Sequence, residues 1–298
     1  MSRQAVIRPR RSVLYMPGSN PRALEKAASL AADGLILDLE DSVAPEAKAA
    51  ARDLVATAAG PDRASFGRRE VIVRVNALDT PWGHDDVVAA ARLKADAILF
   101  PKVSTPEDVM AAIRALEAAG APESLPIWIM AETPRGILEI DRIAGAHPRL
   151  ACIVAGTSDL ARDLRARHTP GREGMLAALS LMVLAARAHG LDALDGVHLD
   201  LQDEVGFAAA CEQGRNMGFD GKTLIHPKQL EAANRIFAPS AAELQTATKV
   251  VAAWNAARAE GKGVCVVDGK LIEKLHVEEY ERMIALDQAI RGAAANAA

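Results

Sequence analysis

Short apolar runs recur along the chain about every 30 residues, each followed by a longer stretch of helical period. The runs are residues 12–16 (SVLYM), 35–39 (LILDL), 71–75 (VIVRV), 97–100 (AILF), 127–131 (IWIMA), 150–155 (LACIVA), 193–195 (ALD) and 222–225 (KTLI). Most are rich in Val, Ile and Leu, as strands buried on both faces are. The seventh is placed mainly by spacing. The intervening helical stretches are alanine-rich: residues 23–32, 45–59, 85–93, 109–119, 175–189 and 204–217. Asn20-Pro21, Thr80-Pro81, Thr105-Pro106 and Thr133-Pro134 each set a capping side chain before a proline, the pattern of a helix start.

Eight such strand–helix units, ending near residue 238, predict an α/β fold of the (β/α)₈ TIM-barrel class. The rival is an open doubly wound sheet. Against it, MPGSNPRAL after the first strand lacks a Gly-rich dinucleotide fingerprint. After residue 238 the rhythm changes. Residues 241–259 read as a helix, 261–263 as a turn, 264–267 as a short apolar run, Asp268-Gly269 as a turn and 275–290 as a last helix. The expected division is a catalytic barrel over residues 1–238 and a helical C-terminal extension over 239–298.

Composition narrows the function classes. The 298 residues suit one barrel and an appendage, and 50% hydrophobic content supports a full core. A net charge of −4, a pI near 6.0 and 3% aromatics disfavour a nucleic-acid partner. Three scattered cysteines form no CxxC pattern, so a disulfide framework or Cys-based zinc site is not expected. The N-terminal segment has no apolar core of signal-peptide length, and no window of eighteen apolar residues exists. The expectation is a reduced, soluble, cytoplasmic protein without a membrane partner.

In such a barrel, reactive groups gather at the C-terminal ends of strands. Those ends carry Asp38, Glu40 and Asp41; Arg74 and Asn76; Lys102; Glu132; Asp159; and His226. Several acids beside an arginine and a lysine, without a cysteine or histidine cluster, point to a hard cation such as Mg²⁺. Plainer readings compete. Asp41 and Glu46 would favour a helix start, and Asp159 after Gly156-Thr157-Ser158 would serve as an N-cap. Arg74 interrupts VIVRV, so its charge needs an anionic partner from protein or substrate. Gly83-His84-Asp85-Asp86 reads as a solvated helix start, and Arg8, Arg10 and Arg11 as a solvated basic tail. No GxSxG elbow or P-loop occurs.

RSVLYMPGSNPRALEKA, LILDLEDSVAPEAKAAAR, VRVNALDTPWGHDD, FPKV, AETPRGIL, GTSDLARDL, GKTLIHPKQ and VVDGKLIEK follow one another along residues 11 to about 275. In this order they resemble the HpcH/HpaI aldolase/citrate lyase family, in particular its citrate lyase beta-subunit-like branch with malyl-CoA and citramalyl-CoA lyases. The resemblance implies a Mg²⁺-dependent carbon–carbon lyase that splits a 3-hydroxyacyl-CoA thioester into an acyl-CoA and a 2-keto acid. It implies Glu132 and Asp159 as metal ligands, with Glu132 also touching substrate. Arg74 would bind the substrate's carboxylate or oxyanion, with Glu40, Asp41 and Lys102 around the site. Asp268 would be an acid supplied from a neighbouring subunit of a homotrimer or homohexamer, on which the extension would pack. The alternatives are a citrate lyase subunit acting on an acyl-carrier-protein thioester, and a barrel that binds thioesters or keto acids without turnover.

Overall fold

The computed structural model describes residues 7–60 and 66–295. Residues 1–6 of the N-terminal segment, residues 61–65 and residues 296–298 lie outside them. The described chain divides into two compact units, Arg10–Phe237 and one built on the segment from Ala238 onward.

The first unit is a closed barrel of eight parallel strands in sequence order. They are β1 (Ser12–Pro17), β2 (Gly34–Asp38), β3 (Glu70–Arg74), β4 (Ala97–Phe100), β5 (Ile127–Ala131), β6 (Leu150–Ala155), β7 (Asp192–Asp195) and β8 (Gly221–Leu224). Closure is made by β1 on β8, with Ser12 opposite Lys222 and Leu14 opposite Leu224. The open-sheet rival is thereby excluded.

Strand parity explains which residues can do chemistry. Side chains alternate between the two faces of a strand. Val13, Ile36, Ile72, Leu99, Trp128, Val154 and Leu194 pack together inside the barrel. Leu14, Leu35, Leu37, Val71, Val73 and Ile129 belong to the other core, beneath the helices. Stepping by two from Ile36, Ile72 and Met130 reaches Asp38, Arg74 and Glu132, so the same alternation that builds the lumen brings these charges to its upper end.

The lower end is closed by Arg10. Its guanidinium holds Glu70 (2.6 Å) and Asp192 and lies 4.9 Å from the Trp128 ring centroid. Arg11 pairs with Asp33 at 2.7 Å. These two arginines are therefore fixed parts of the barrel floor rather than a solvated tail.

Three of the four expected helix starts are capped as read. Asn20 accepts from Ala23 N, Thr133 accepts from Gly136 N, and Thr105 forms a capping box with Asp108. Thr80 does not cap: its hydroxyl turns back to donate to Ala77 O at 2.6 Å, and the helix begins at Gly83. Asp86, in the stretch read as solvated, is fully buried and accepts from both Asn76 nitrogens. Asn76 thus pins the end of β3 to the next helix.

The second unit contains helices Ala241–Ala259 and Lys274–Ala295. Between them runs an antiparallel hairpin, β9 (Cys265–Val267) with β10 (Lys270–Ile272). Val250, Trp254, Val267, Ile272 and Val277 form its small core. Asp268 and Gly269 both have positive φ, +50° and +76°. That is the combination a two-residue type I′ hairpin turn requires. The extension is therefore helical as expected, and the short apolar run and Asp268-Gly269 turn read between its helices form a hairpin, with Lys270–Ile272 as the second strand. No helix among the described residues is long and apolar enough to cross a membrane.

Candidate active site

The upper barrel mouth holds a cavity of about 310 Å³. Tyr15, Arg74, Met130, Glu132, Thr157 and Asp159 are among the residues that line it.

Arg74 is 6% exposed, and most of its valence is already used. Its Nε and Nη2 fork grips both oxygens of Asp38 at 2.7 Å. Nη1 lies 2.7 Å from Glu40 Oε2 as an ion pair without hydrogen-bond alignment, and 3.6 Å from Asp41. The guanidinium also lies 4.8 Å from the Tyr15 ring centroid. The bidentate fork of Arg74 is taken by Asp38, so only its remaining edge is open to any further partner. Burial alone would push the Asp38 carboxyl up, but Arg74 and backbone donors hold it below its ordinary value.

Glu132 follows β5 and is 1% exposed. Asp159 stands in the first turn of helix Thr157–Leu164, where no side chain caps the helix end. The N-cap reading of Asp159 is thus set aside; its carboxylate faces other charges. Lys102 Nζ hydrogen-bonds Asp159 Oδ2 and lies 3.3 Å from Glu132 Oε1. Arg162 holds the other Asp159 oxygen at 2.6 Å. Burial, with the neighbouring Asp159 charge, raises the Glu132 carboxyl above its ordinary value. For Asp159, burial is outweighed by Lys102 and Arg162, and its carboxyl is lowered.

This donor set fits a hard divalent cation. Two carboxylates converge on one positive charge, already supplied by an ammonium. Mg²⁺ takes one or two carboxylates and fills its other positions with water or substrate oxygens. Among the described residues no group of three or more His, Cys, Asp or Glu side chains is arranged to hold a metal ion.

Glycine is required beside Glu132. A Cβ at Gly156 would stand 2.4 Å from Glu132 Cβ and 2.5 Å from its Oε2. Gly156→Ala should therefore displace Glu132 and weaken divalent-metal affinity by at least about tenfold, an effect comparable to losing a ligand-orienting contact. Mn²⁺ titration of the variant checks this; unchanged affinity would show that Glu132 does not hold the ion.

Glu40 is buried behind Arg74, and burial pushes its carboxyl up to about 8 against the opposing pull of Arg74. An acid raised on folding takes up a proton as the chain folds. Its contribution to stability is present below the unfolded value of 4.5 and declines as pH rises from there through about 8. Metal-chelated protein should lose thermal stability across that window, and Glu40→Gln should flatten the loss. Identical pH profiles for the two proteins would contradict this.

The remaining strand-end residues separate out. Asp41 is exposed at the rim. His226 Nδ1 accepts from Lys228 N and caps a short 3₁₀ turn. Lys102 has φ +57°, a left-handed conformation uncommon for a non-glycine residue. Asp268 is at the hairpin tip of the other unit, paired with Lys249. One buried cluster escaped sequence reasoning: Asp195, at the end of β7, holds Lys222 at 2.7 Å and Arg172 at 2.6 Å. The strand-end rule would have flagged Asp195; its partners, distant in sequence, carry no local signal.

Comparison with known proteins agrees with the barrel fold. The family model described as HpcH/HpaI aldolase/citrate lyase matches residues 11–227. The chain is 53% identical over 282 residues to a (3S)-malyl-CoA thioesterase of Cereibacter sphaeroides, covering 95% of this chain and 96% of the relative. It is 36% identical over 305 residues to an L-malyl-CoA/beta-methylmalyl-CoA lyase of the same species, covering 93% and 94%. Among solved structures, protein CitE of Mycobacterium tuberculosis in complex with magnesium, acetoacetate and coenzyme A aligns with a TM-score of 0.75. That alignment has 29% identity and covers 93% of this chain and 97% of CitE.

Proposed function

The chain belongs to the HpcH/HpaI aldolase/citrate lyase family, and from that premise we propose that it hydrolyses a malyl-CoA-type thioester to the free hydroxy acid and CoA. The observation that carries this reading is the 53% identity to a malyl-CoA thioesterase across nearly the whole chain. It joins a site with two convergent carboxylates beside a buried arginine.

Glu132 and Asp159 would hold a Mg²⁺ ion. When bound, that ion supplies a Lewis-acidic pole for the carboxylate and adjacent oxygen of the hydroxy acid. The rest falls to side chains. Arg74, locked by Asp38, presents a fixed positive edge to the cavity, where it stabilises charge developing on the thioester carbonyl oxygen. Burial of Glu132 and Arg74 keeps both charges in a low-dielectric wall, where they act more strongly than in water. Asp268 is the proton-transfer group, supplied by a second copy of the chain in a homotrimer or homohexamer. It takes a proton from the attacking water.

Carbon–carbon cleavage is the second reading, favoured by the 36% identity to a malyl-CoA lyase. There Arg74 would face the enolate oxygen of the shorter thioester, and Asp268 would return a proton to its carbon.

Substrate class is tested by a panel of malyl-, citramalyl-, citryl- and acetyl-CoA and an acyl-carrier-protein thioester, with Mg²⁺ and with chelator. Metal-dependent loss of hydroxydicarboxylyl-CoA, with acetyl-CoA untouched, is expected. Turnover confined to the carrier-protein thioester would overturn the CoA assignment. Asp268→Asn should keep metal affinity while losing turnover, because its role is proton transfer. Mixed and reassembled with Glu132→Gln subunits, it should regain about a quarter of wild-type activity, since random pairing restores that share of sites. A mixture verified to contain both subunits but as inactive as either parent would remove the trans role.

A further inference from the structure

Lys102 is the most constrained cation near the barrel mouth that the proposed reaction does not use. Its ammonium hydrogen-bonds Asp159 Oδ2, lies 3.3 Å from Glu132 Oε1 and 4.0 Å from Glu40 Oε1. Its backbone is held by Glu132 and by Ser104. Lys102 N donates to Glu132 Oε1 at 2.7 Å, and Ser104 Oγ donates to Lys102 O at 3.1 Å. The left-handed φ of +57° folds the residue back over the site, a conformation L residues adopt rarely and only where the surroundings enforce it. The ammonium thus stands between the two carboxylates on which the proposed metal depends.

We propose that Lys102 is a built-in counter-ion that competes with the divalent cation for Glu132 and Asp159 and yields the place when the ion binds. The inference rests on the metal reading of this pair. Two positive charges cannot share the space between two carboxylates without strong repulsion. The side chain must therefore move away when the ion arrives, while its backbone bond to Glu132 stays. Glu40 is the next acceptor within reach, at 4.0 Å, and is already the partner of Arg74. Arg162 remains on the far oxygen of Asp159 and need not move. In the metal-free protein the lysine neutralises two acids that would otherwise repel each other. In the loaded protein it stands beside Glu40, at the border between the metal and Arg74. The device keeps the empty site ordered at the expense of metal affinity.

The test uses the full chain and Mn²⁺, read by electron paramagnetic resonance of the free ion, with no substrate present. Lys102→Met should bind Mn²⁺ about tenfold more tightly than wild type, because the competing charge is gone. Lys102→Arg retains the charge and should not tighten. Without metal, Lys102→Met should melt lower than wild type, and saturating Mg²⁺ should raise its melting temperature by more than it raises that of wild type. A merely structural lysine would give the opposite sign, weaker binding in Lys102→Met. Unchanged or weaker Mn²⁺ affinity in that variant overturns the inference. Glu132→Gln separates the two ideas. If it abolishes Mn²⁺ binding while Lys102→Met leaves affinity unchanged, the metal pair stands and the counter-ion role falls. If Lys102→Met and wild type both fail to bind Mn²⁺, the two fall together.

Discussion

Glu132→Gln should reduce metal-dependent turnover more than a hundredfold while leaving the melting temperature unchanged or higher. Loss of residues that merely orient metal ligands costs about 10–100-fold, so loss of a ligand itself should exceed that. The substitution preserves shape. A glutamine oxygen can still accept the Lys102 N–H that now bonds Glu132 Oε1 at 2.7 Å. Its amide would face Asp159 as a donor, replacing a like charge with an attraction. Burial already works against the Glu132 charge, so neutralising it removes a strained ion rather than a support. Activity and stability should therefore separate, the signature of a residue kept for function at a cost to the fold. Initial rates with saturating Mg²⁺ and a thermal melt of the same sample measure both. A variant with near-normal turnover would take Glu132 out of the site.

Asp38→Asn should act differently, lowering activity and stability together. Removing one partner of a buried ion pair strands the other, at a cost of about 3–5 kcal/mol. Of its ionic partners Arg74 would keep the misaligned pair with Glu40 and the looser one with exposed Asp41, besides its contacts with Tyr15 and Met130 Sδ. For a chain of this size the melting temperature should fall by roughly 6–20 °C. Arg74→Lys should behave alike, since a lysine cannot reproduce the two fork bonds to Asp38. Adding Arg74→Met to Asp38→Asn should recover part of the stability and none of the activity, because the stranded charge is gone. Melts of the single and double variants give the coupling directly. Strictly additive losses would mean that the pair does not act as a unit.

The barrel is legible because its strands are largely buried on both faces, which leaves continuous apolar runs such as 97–100 and 127–131. Even β7, only four residues long and ending in Asp195, was recovered from spacing. Glu132 and Asp159 were legible as strand-end acids, and Arg74 as a charge inside a strand. What Arg74 holds was not. Asp38 is 36 residues away, and the pairing follows from the register of β2 on β3, with Asp38 opposite Arg74. Local sequence does not encode that register. Thr80-Pro81 misled because the hydroxyl found a nearer carbonyl than the helix end. The hairpin in the second unit was read as a run and a turn. Asp-Gly between two short apolar segments is a strong hairpin signal, but Lys270–Ile272 is too brief and too exposed to announce a strand.

Incubation of the purified chain with (3S)-malyl-CoA and Mg²⁺, with free thiol, malate, glyoxylate and acetyl-CoA followed together, addresses the proposed reaction most directly. Hydrolysis gives one malate and one CoA thiol for each thioester consumed. The expected result is equal thiol and malate, no glyoxylate, and loss of both products with chelator or in Glu132→Gln. Stoichiometric glyoxylate and acetyl-CoA without thiol would contradict hydrolysis in favour of carbon–carbon cleavage, and consumption undiminished in Glu132→Gln would contradict the site itself.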